Sequence, residues 1–179
     1  MRTFLMVGAL TVAGFLGAAP EQLEAQSPGE PLQLALFNPL QLRSEEEAID
    51  VLRLSLIYGR NISVRGLDVG LVSHSTGGES KGVQFGGVGY IEGDFIGWQD
   101  TAINVVQGNF KGFQSGLYNG AASAEAFQLG VINRAGDASG FQLGLVNYAE
   151  SMYGLQIGLV NIIRSKPSLP FFPIVNWSF

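Results

Sequence analysis

The side chains that could carry out catalysis are few and scattered in this sequence. His74 is the single histidine of the chain, and Ser75 follows it directly. A nucleophilic Ser–His pair needs a third group to orient the imidazole, and Asp68 or Asp94 could serve. No motif places these groups together. We therefore expect His74 to be an exposed histidine in a Gly/Ser-rich loop.

A pair of carboxylates is the second candidate for catalysis. Asp94 and Asp100 could form a pair of the kind that glycosidases use. Aspartate is common in turns, so surface positions explain both residues better. We predict that the protein is not an enzyme and has no catalytic, cofactor-binding or metal-binding residue. A carbohydrate-active enzyme built on a β-solenoid is the remote alternative.

Composition excludes several further classes of function. The chain has 179 residues, with 25 glycines, no cysteine and a net charge of -5. The lack of cysteine excludes disulfide scaffolds and thiolate chemistry, and a single histidine excludes a His-cluster metal site within one chain. A nucleic-acid partner is not expected, since it would require a basic surface. With 46% hydrophobic and 14% charged residues, the chain is expected to fold.

The N-terminus has the pattern of an export signal. Arg2 precedes an uncharged run over residues 4–18, which is short for a bilayer span. We predict a signal peptide over residues 1–25, cleaved after Ala18 or Ala25. The sequence thus predicts an exported protein of the periplasm, outer membrane or cell surface.

A repeat dominates the rest of the chain. Four gap-free units begin 14 residues apart and share Gln, Gly and Asn at fixed offsets, with a leading Gly in every unit except the one that begins at Ala126. Looser copies start at Gly66, Gly82 and Gly97, which makes seven copies over residues 66–161. The predicted structural positions of the four regular units are Gly112, Gln114, Gly116, Asn119, Gln128, Gly130, Asn133, Gly140, Gln142, Gly144, Asn147, Gly154, Gln156, Gly158 and Asn161.

Each unit reads as a strand followed by a turn. Phe141, Leu143 and Leu145 alternate, so they share one face, which predicts an all-β chain. The first architecture is a parallel β-solenoid of about seven coils of 14–16 residues. Its Phe and Leu positions are expected to stack inward, with asparagines stacked at a corner and Ala135, Ala149 and Ile163 on a narrow second side. The glutamines, such as Gln142, are expected to form an outward column.

The alternative is an antiparallel outer-membrane-type β-barrel of about 8–10 strands. The alternating end of the chain, through Val175 and Trp177 to Phe179, favours it. The asparagines favour the solenoid, because alternation would place Asn147 on the lipid-facing side with Phe141. We therefore predict the solenoid. Residues 26–65 would form a leader and capping strands, residues 66–163 the array, and residues 164–179 a C-terminal capping strand.

The repeat resembles the leptospiral-type surface repeat family of exported bacterial proteins. The match rests on the units from Gly112 to Asn161, and the ending from Pro173 to Phe179 resembles members from other Gram-negative bacteria. Copies at Gly82 and Gly97 depart from the pattern, with Gly89 in place of the Asn, and Asp100 and Thr101 in place of the apolar residue and the second Gly. The resemblance implies a non-catalytic cell-envelope or surface protein, structural or adhesive, and no established activity. Outer-membrane association and a glycan or protein ligand stay open, as does a small outer-membrane barrel.

Overall fold

A computed structural model describes residues 28–179, so the predicted signal peptide lies outside the described residues. The described part contains strands and turns but no helix. The strands are β1 (Glu30–Phe37), β2 (Leu40–Gln41), β3 (Ile49–Asn61), β4 (Arg65–Ser75), β5 (Glu79–Ile91), β6 (Asp94–Ile163) and β7 (Phe171–Ser178). The long β6 runs through successive coils of the array without interruption.

Neighbouring repeats pair in parallel, which confirms the predicted all-β parallel solenoid. β1 pairs with β3, β3 with β4, β4 with β5 and β5 with β6, all in parallel. Equivalent repeat positions face one another: Gly66 lies beside Gly82, and Gly82 beside Gly97. The antiparallel alternative required the opposite pairing between repeats and is therefore wrong.

The two ends of the stack are closed by antiparallel strands. β2 returns along β1 after the turn at Pro39, and β7 runs antiparallel to the last coil of β6. β7 also bears Pro173, which has no N–H to offer a further strand, and Ile174 with φ 71°. Pro and irregular backbone blunt an edge strand, so β7 is a poor template for another strand.

The two glycines of each unit are required for different reasons. Gly140 has φ 121°, a backbone conformation that L-residues with a side chain rarely adopt. Gly144 has no such φ, but a Cβ there would lie 2.4 Å from the Gly130 carbonyl oxygen and 2.7 Å from Asn133 Nδ2. The first glycine is therefore required for its backbone conformation, and the second allows neighbouring coils to approach closely.

The apolar interior lies on the second side of each coil and is small. In the regular repeats it is built from Ala135, Ala149, Met152 and Ile163, which are buried together. Towards the N-terminus larger residues take over, and the Phe95 and Phe110 rings stack with centroids 5.8 Å apart. The prediction that Ala135, Ala149 and Ile163 fill a narrow second side is confirmed.

The direction of the other side chains is the reverse of the prediction. Phe141 is 51% and Leu145 52% exposed, whereas Gln142 is 2% exposed. The predicted inward apolar ladders and outward glutamine column are both wrong. The physical reason is space: close contacts at Gly144 hold the coils' inner walls together, and no large ring fits between them.

The asparagines do not share the face of the phenylalanines and leucines, where strict alternation in the barrel alternative placed them. Val131 and Ile132 are both 40% exposed, and Asn133 is fully buried. Two successive outward residues break the strict alternation just before the asparagine. Asn133 therefore points inward with the glutamines, not outward with the leucines, so the argument that placed it beside Phe and Leu was wrong although the solenoid it favoured is present.

Candidate binding surface

The exposed apolar side of the strands is the most prominent surface of the molecule. We call it the outer face and define it by the exposed apolar residues at the first, third and fifth positions after each repeat's leading glycine and at the matching positions of β1 and β3. These are Leu34, Leu36, Leu54, Leu56, Leu67, Val69, Leu71, Phe85, Trp98, Leu117, Phe127, Leu129, Val131, Phe141, Leu143, Leu145, Ile157 and Leu159. An exposed apolar patch of this extent is typical of a contact surface.

An aromatic column runs along one side of the outer face. Trp98 meets Phe113 edge to face at a centroid distance of 5.7 Å. Phe113 then stacks on Phe127 at 5.7 Å, and Phe127 lies 6.1 Å from Phe141. One ring per coil is the direct result of the repeat period. The contacts between rings fix their orientation, which gives the outer face a rigid edge.

Two aliphatic columns beside the rings form a groove. In the N-terminal coils, Leu34 and Leu54 stand on one side and Leu56 and Leu71 on the other, with Gly70 in the floor. This open groove has a volume of about 830 Å³. The geometry is able to hold apolar groups, since its lining supplies almost only methyl and methylene surface.

The middle of the outer face is interrupted by polar and small residues. Asp100 stands at an outward position, and its Oδ1 accepts a hydrogen bond of 2.7 Å from Ser115 Oγ. Gly87 and Ala102 occupy positions that carry leucine or valine in other coils. The outer face is therefore two apolar halves separated by a notch with one carboxylate at its edge.

Beneath the outer face, the glutamines form a continuous hydrogen-bonded column. Each Nε2 donates to Oε1 of the preceding repeat, from Gln156 back to Gln84, at 2.7–2.8 Å. Gln84 Nε2 donates to Asp68 Oδ2, and Asp68 is held by the Arg53 guanidinium in a buried bidentate pair. Stacked amides of this kind satisfy their own hydrogen-bonding groups without water. Because the Asp68 carboxylate only accepts hydrogen bonds, it fixes the direction in which every amide of the glutamine column donates.

The asparagines form a second column with the opposite direction. Asn104 Nδ2 donates to Asn119 Oδ1, and the pattern continues to Asn161. Thr101 Oγ1 lies 2.6 Å from Asn104 Oδ1 and closes the start of the column, where Gly89 supplies no amide. The expected pairing of asparagine amides between coils is confirmed. The departure at Thr101 from the repeat pattern is explained as the start of this column.

His74 lies within β4 with its side chain 17% exposed, so the prediction of an exposed loop histidine is wrong, and it belongs to a cluster that connects three successive coils. Its Nδ1 lies 2.8 Å from the Tyr58 hydroxyl and its Nε2 lies 2.9 Å from Glu92 Oε1, with the Tyr90 ring edge-on. With the proton on Nε2, the imidazole donates to Glu92 and accepts from the phenol of Tyr58. Burial raises the pKa of that phenol above its ordinary value. The imidazole therefore holds the phenol in one orientation, and the phenol keeps its proton.

The partners foreseen for His74 are engaged elsewhere. Asp68 is bound by Arg53, and Asp94 Oδ1 accepts from the backbone and side chain of Asn109. Asp94 and Asp100 have separate partners and form no hydrogen bond with each other. The side chains that do contact His74, Tyr58 and Glu92, were missed. The spacing alone did not indicate them, because His74 is level with Arg60 in the preceding coil and with Tyr90 in the next, and Tyr58 and Glu92 each lie two residues away from those positions.

Arg53 and Asp68 were missed as well, although the sequence carried a signal for them. They occupy the glutamine position of two irregular repeats, 15 residues apart, with opposite charges. Stacking of equivalent positions brings such residues into contact. Both are almost fully buried, so the pair belongs to the interior and not to the outer face.

Comparison with known proteins identifies no relative. No protein-family model, curated protein or solved structure matches the chain. Between residues 28 and 179 the structure contains no helix long and apolar enough to cross a membrane. The same described residues include no group of three or more His, Asp or Glu side chains arranged to hold a metal ion.

Proposed function

We propose that this chain is a non-catalytic, exported repeat protein of the bacterial cell envelope, with a structural or adhesive role. The observation that carries the proposal is the outer face, where the repeat places large apolar side chains in solvent at every coil. Exposed apolar surface of this size is costly in a monomer and is retained where a contact requires it.

The proposal is also supported by how the polar groups are used. The Gln and Asn side chains, with Arg53 and Asp68, hydrogen-bond to one another inside the coils, and Gln156 Oε1 at the end of its column is left buried without a partner. His74 is held between Tyr58 and Glu92, so its two ring nitrogens already have partners. Reactive side chain types thus act as structural connections between coils, while the repeated apolar positions face outward.

Fractionation of the producing bacterium tests the location. An epitope-tagged chain is expected in the envelope or the osmotically released fraction, shortened by its first 18 or 25 residues. Digestion of whole cells with protease then separates a surface location from a periplasmic one. A full-length chain in the cytoplasm would overturn the proposal.

Substitution on the outer face tests the role. Leu117→Glu and Leu145→Glu place a charge at exposed apolar positions, while Ile62→Glu makes the same change at an exposed position outside the outer face. We expect all three variants to be exported, and only the first two to lose the contact that covers the outer face, measured as loss of cell attachment or of self-association. A glycan-cleaving activity that disappears in His74→Ala would contradict a non-catalytic role.

A further inference from the structure

We propose that the outer face is covered by the outer face of a second copy of this chain, in a two-fold symmetric dimer. The proposal goes beyond the envelope function, because an envelope protein with this surface could equally be monomeric. It commits to one occupant, and four features of the outer face support a second copy: its size, its charge, its central notch and the closed ends of the stack.

The size of the outer face matches what a stable dimer buries. Strand segments of β1, β3, β4, β5, five levels of β6 and β7 lie side by side in it. At about 4.8 Å per strand and about 3.3 Å per residue, the surface is roughly 45 Å tall and 20 Å wide, or about 900 Å². A standard interface buries about 800 Å² per partner.

Charge argues for a protein partner over a lipid bilayer. The chain carries a net charge of -5, which disfavours the approach to anionic lipid headgroups. Asp100 lies in the middle of the outer face, where insertion into hydrocarbon would remove water from its carboxylate. Two of the basic residues directly before leading glycines are paired with carboxylates, Arg65 with Asp50 and Lys111 with Glu125, so the border of the outer face is mixed in charge and is not the basic rim of a membrane-surface protein.

The main obstacle to pairing two outer faces is the burial of a carboxylate in each, and the central notch removes that obstacle. Asp100 is on the fifth and Ser115 on the sixth of the ten levels, so a two-fold axis through the middle of the stack brings the two notches together. Gly87 and Ala102 leave space beside each carboxylate. Water in that space keeps both carboxylates hydrated while the apolar halves above and below pack together.

The ends of the stack are less suited to self-association than the outer face. β2 covers the first coil, and β7 covers the last coil with Pro173 in the edge strand. The strand β2 and the proline in β7 both disfavour the addition of another strand. The regular columns of the outer face, in contrast, are spaced identically in every copy, so the columns of one molecule match the grooves of another.

Sedimentation equilibrium of the protein purified from the exported fraction, between about 1 and 100 μM, tests the proposal. The expected mass is twice that of the same single chain measured in denaturant. We expect Leu117→Glu and Leu145→Glu to weaken dimerisation at least about 100-fold, since each buries a charge twice in a two-fold interface. Ile62→Glu is the matched control and should dimerise like the unmodified chain.

Asp100→Asn provides the second readout, because it removes two like charges from the centre of the interface. It should tighten the dimer several-fold, and the gain should shrink as salt is raised. A chain that is monomeric at 100 μM, or a Leu145→Glu variant as dimeric as its parent, would overturn the proposal. Flotation of the monomer with phosphatidylethanolamine/phosphatidylglycerol vesicles would overturn it in favour of lipid. None of these results would affect the envelope location, which is tested separately.

Discussion

Phe141 and Gln142 are neighbours in one strand, yet the ring is 51% exposed and the amide 2% exposed. The same contrast holds between Phe127 and Gln128 one coil earlier. The inner face of these strands is specified by hydrogen bonds between identical amides, and the outer face by contacts between apolar groups that remain in solvent. The comparison teaches that stability and recognition are assigned to opposite sides of one backbone. Substitutions should therefore act differently on the two faces.

The largest effect is expected where the glutamine column meets the buried ion pair. Asp68→Ala leaves the Arg53 guanidinium buried without its carboxylate and leaves Gln84 Nε2 without an acceptor. We expect the free energy of unfolding to fall by about 3–5 kcal/mol, measured by urea titration. The double variant Arg53→Leu, Asp68→Gln removes the charge and extends the amide column, so it should recover most of the loss. A single variant within 1 kcal/mol of the parent would contradict this account, by the usual cost of a broken buried pair.

A break in the middle of the inner face should rank second. Gln128→Leu keeps the side chain close in size but removes the donor to Gln114 Oε1 and the acceptor for Gln142 Nε2. Each buried group left unpaired costs about 1–3 kcal/mol, so we expect a loss of about 2–4 kcal/mol. Thermal unfolding followed by circular dichroism checks this result. An unchanged melting temperature would show that water replaces the amide.

The close approach of the coils gives the third effect. Gly144→Ala introduces a Cβ against the Gly130 carbonyl oxygen and the Asn133 amide. Overpacking of this kind costs about 1–3 kcal/mol. Gly77→Ala is the matched control, because nothing lies within 4 Å of a Cβ at that position. Equal stability of the two variants would contradict the close packing of the inner wall.

The smallest effect on stability is expected on the outer face, one residue from the glutamine column. Leu129 is 41% exposed, so Leu129→Gln should change the free energy of unfolding by no more than about 0.5 kcal/mol. The same variant should weaken dimerisation, since it places a polar amide within the proposed interface. Urea titration at a concentration below the dimer dissociation constant separates the two effects. A loss as large as that of Gln128→Leu would mean that both faces stabilise the fold equally.

The repeat spacing was sufficient to predict the solenoid, but not its orientation. Alternation shows that Phe141 and Leu143 share a face, and period two is the same whichever face is inside. The general preference of apolar residues for the interior then led to the wrong prediction that this face is buried. What decides the orientation is the narrow space at Gly144, a packing property of neighbouring coils. The expected burial of Ala149 and the pairing of Asn147 with Asn161 were correct because both follow directly from stacking.

The polar clusters were harder to predict because they join irregular repeats. Tyr58 and His74 are 16 residues apart, whereas the regular units are spaced by 14. The partners proposed for His74 were a neighbouring serine with Asp68 or Asp94, and Glu92 was overlooked. Contacts between coils depend on the local register, which shifts at the irregularity between Ser55 and Tyr58.

The two amide columns make the length of this molecule adjustable. Each level of the regular array receives a hydrogen bond from one side and passes one to the other, so identical levels are interchangeable. An in-frame duplication of one 14-residue unit would therefore join both columns without creating an unmatched donor or acceptor. Each such event would extend the rod by about 4.8 Å and add one row to the outer face. The array can thus be lengthened by gene duplication alone, with the reach of its contact surface growing in equal steps.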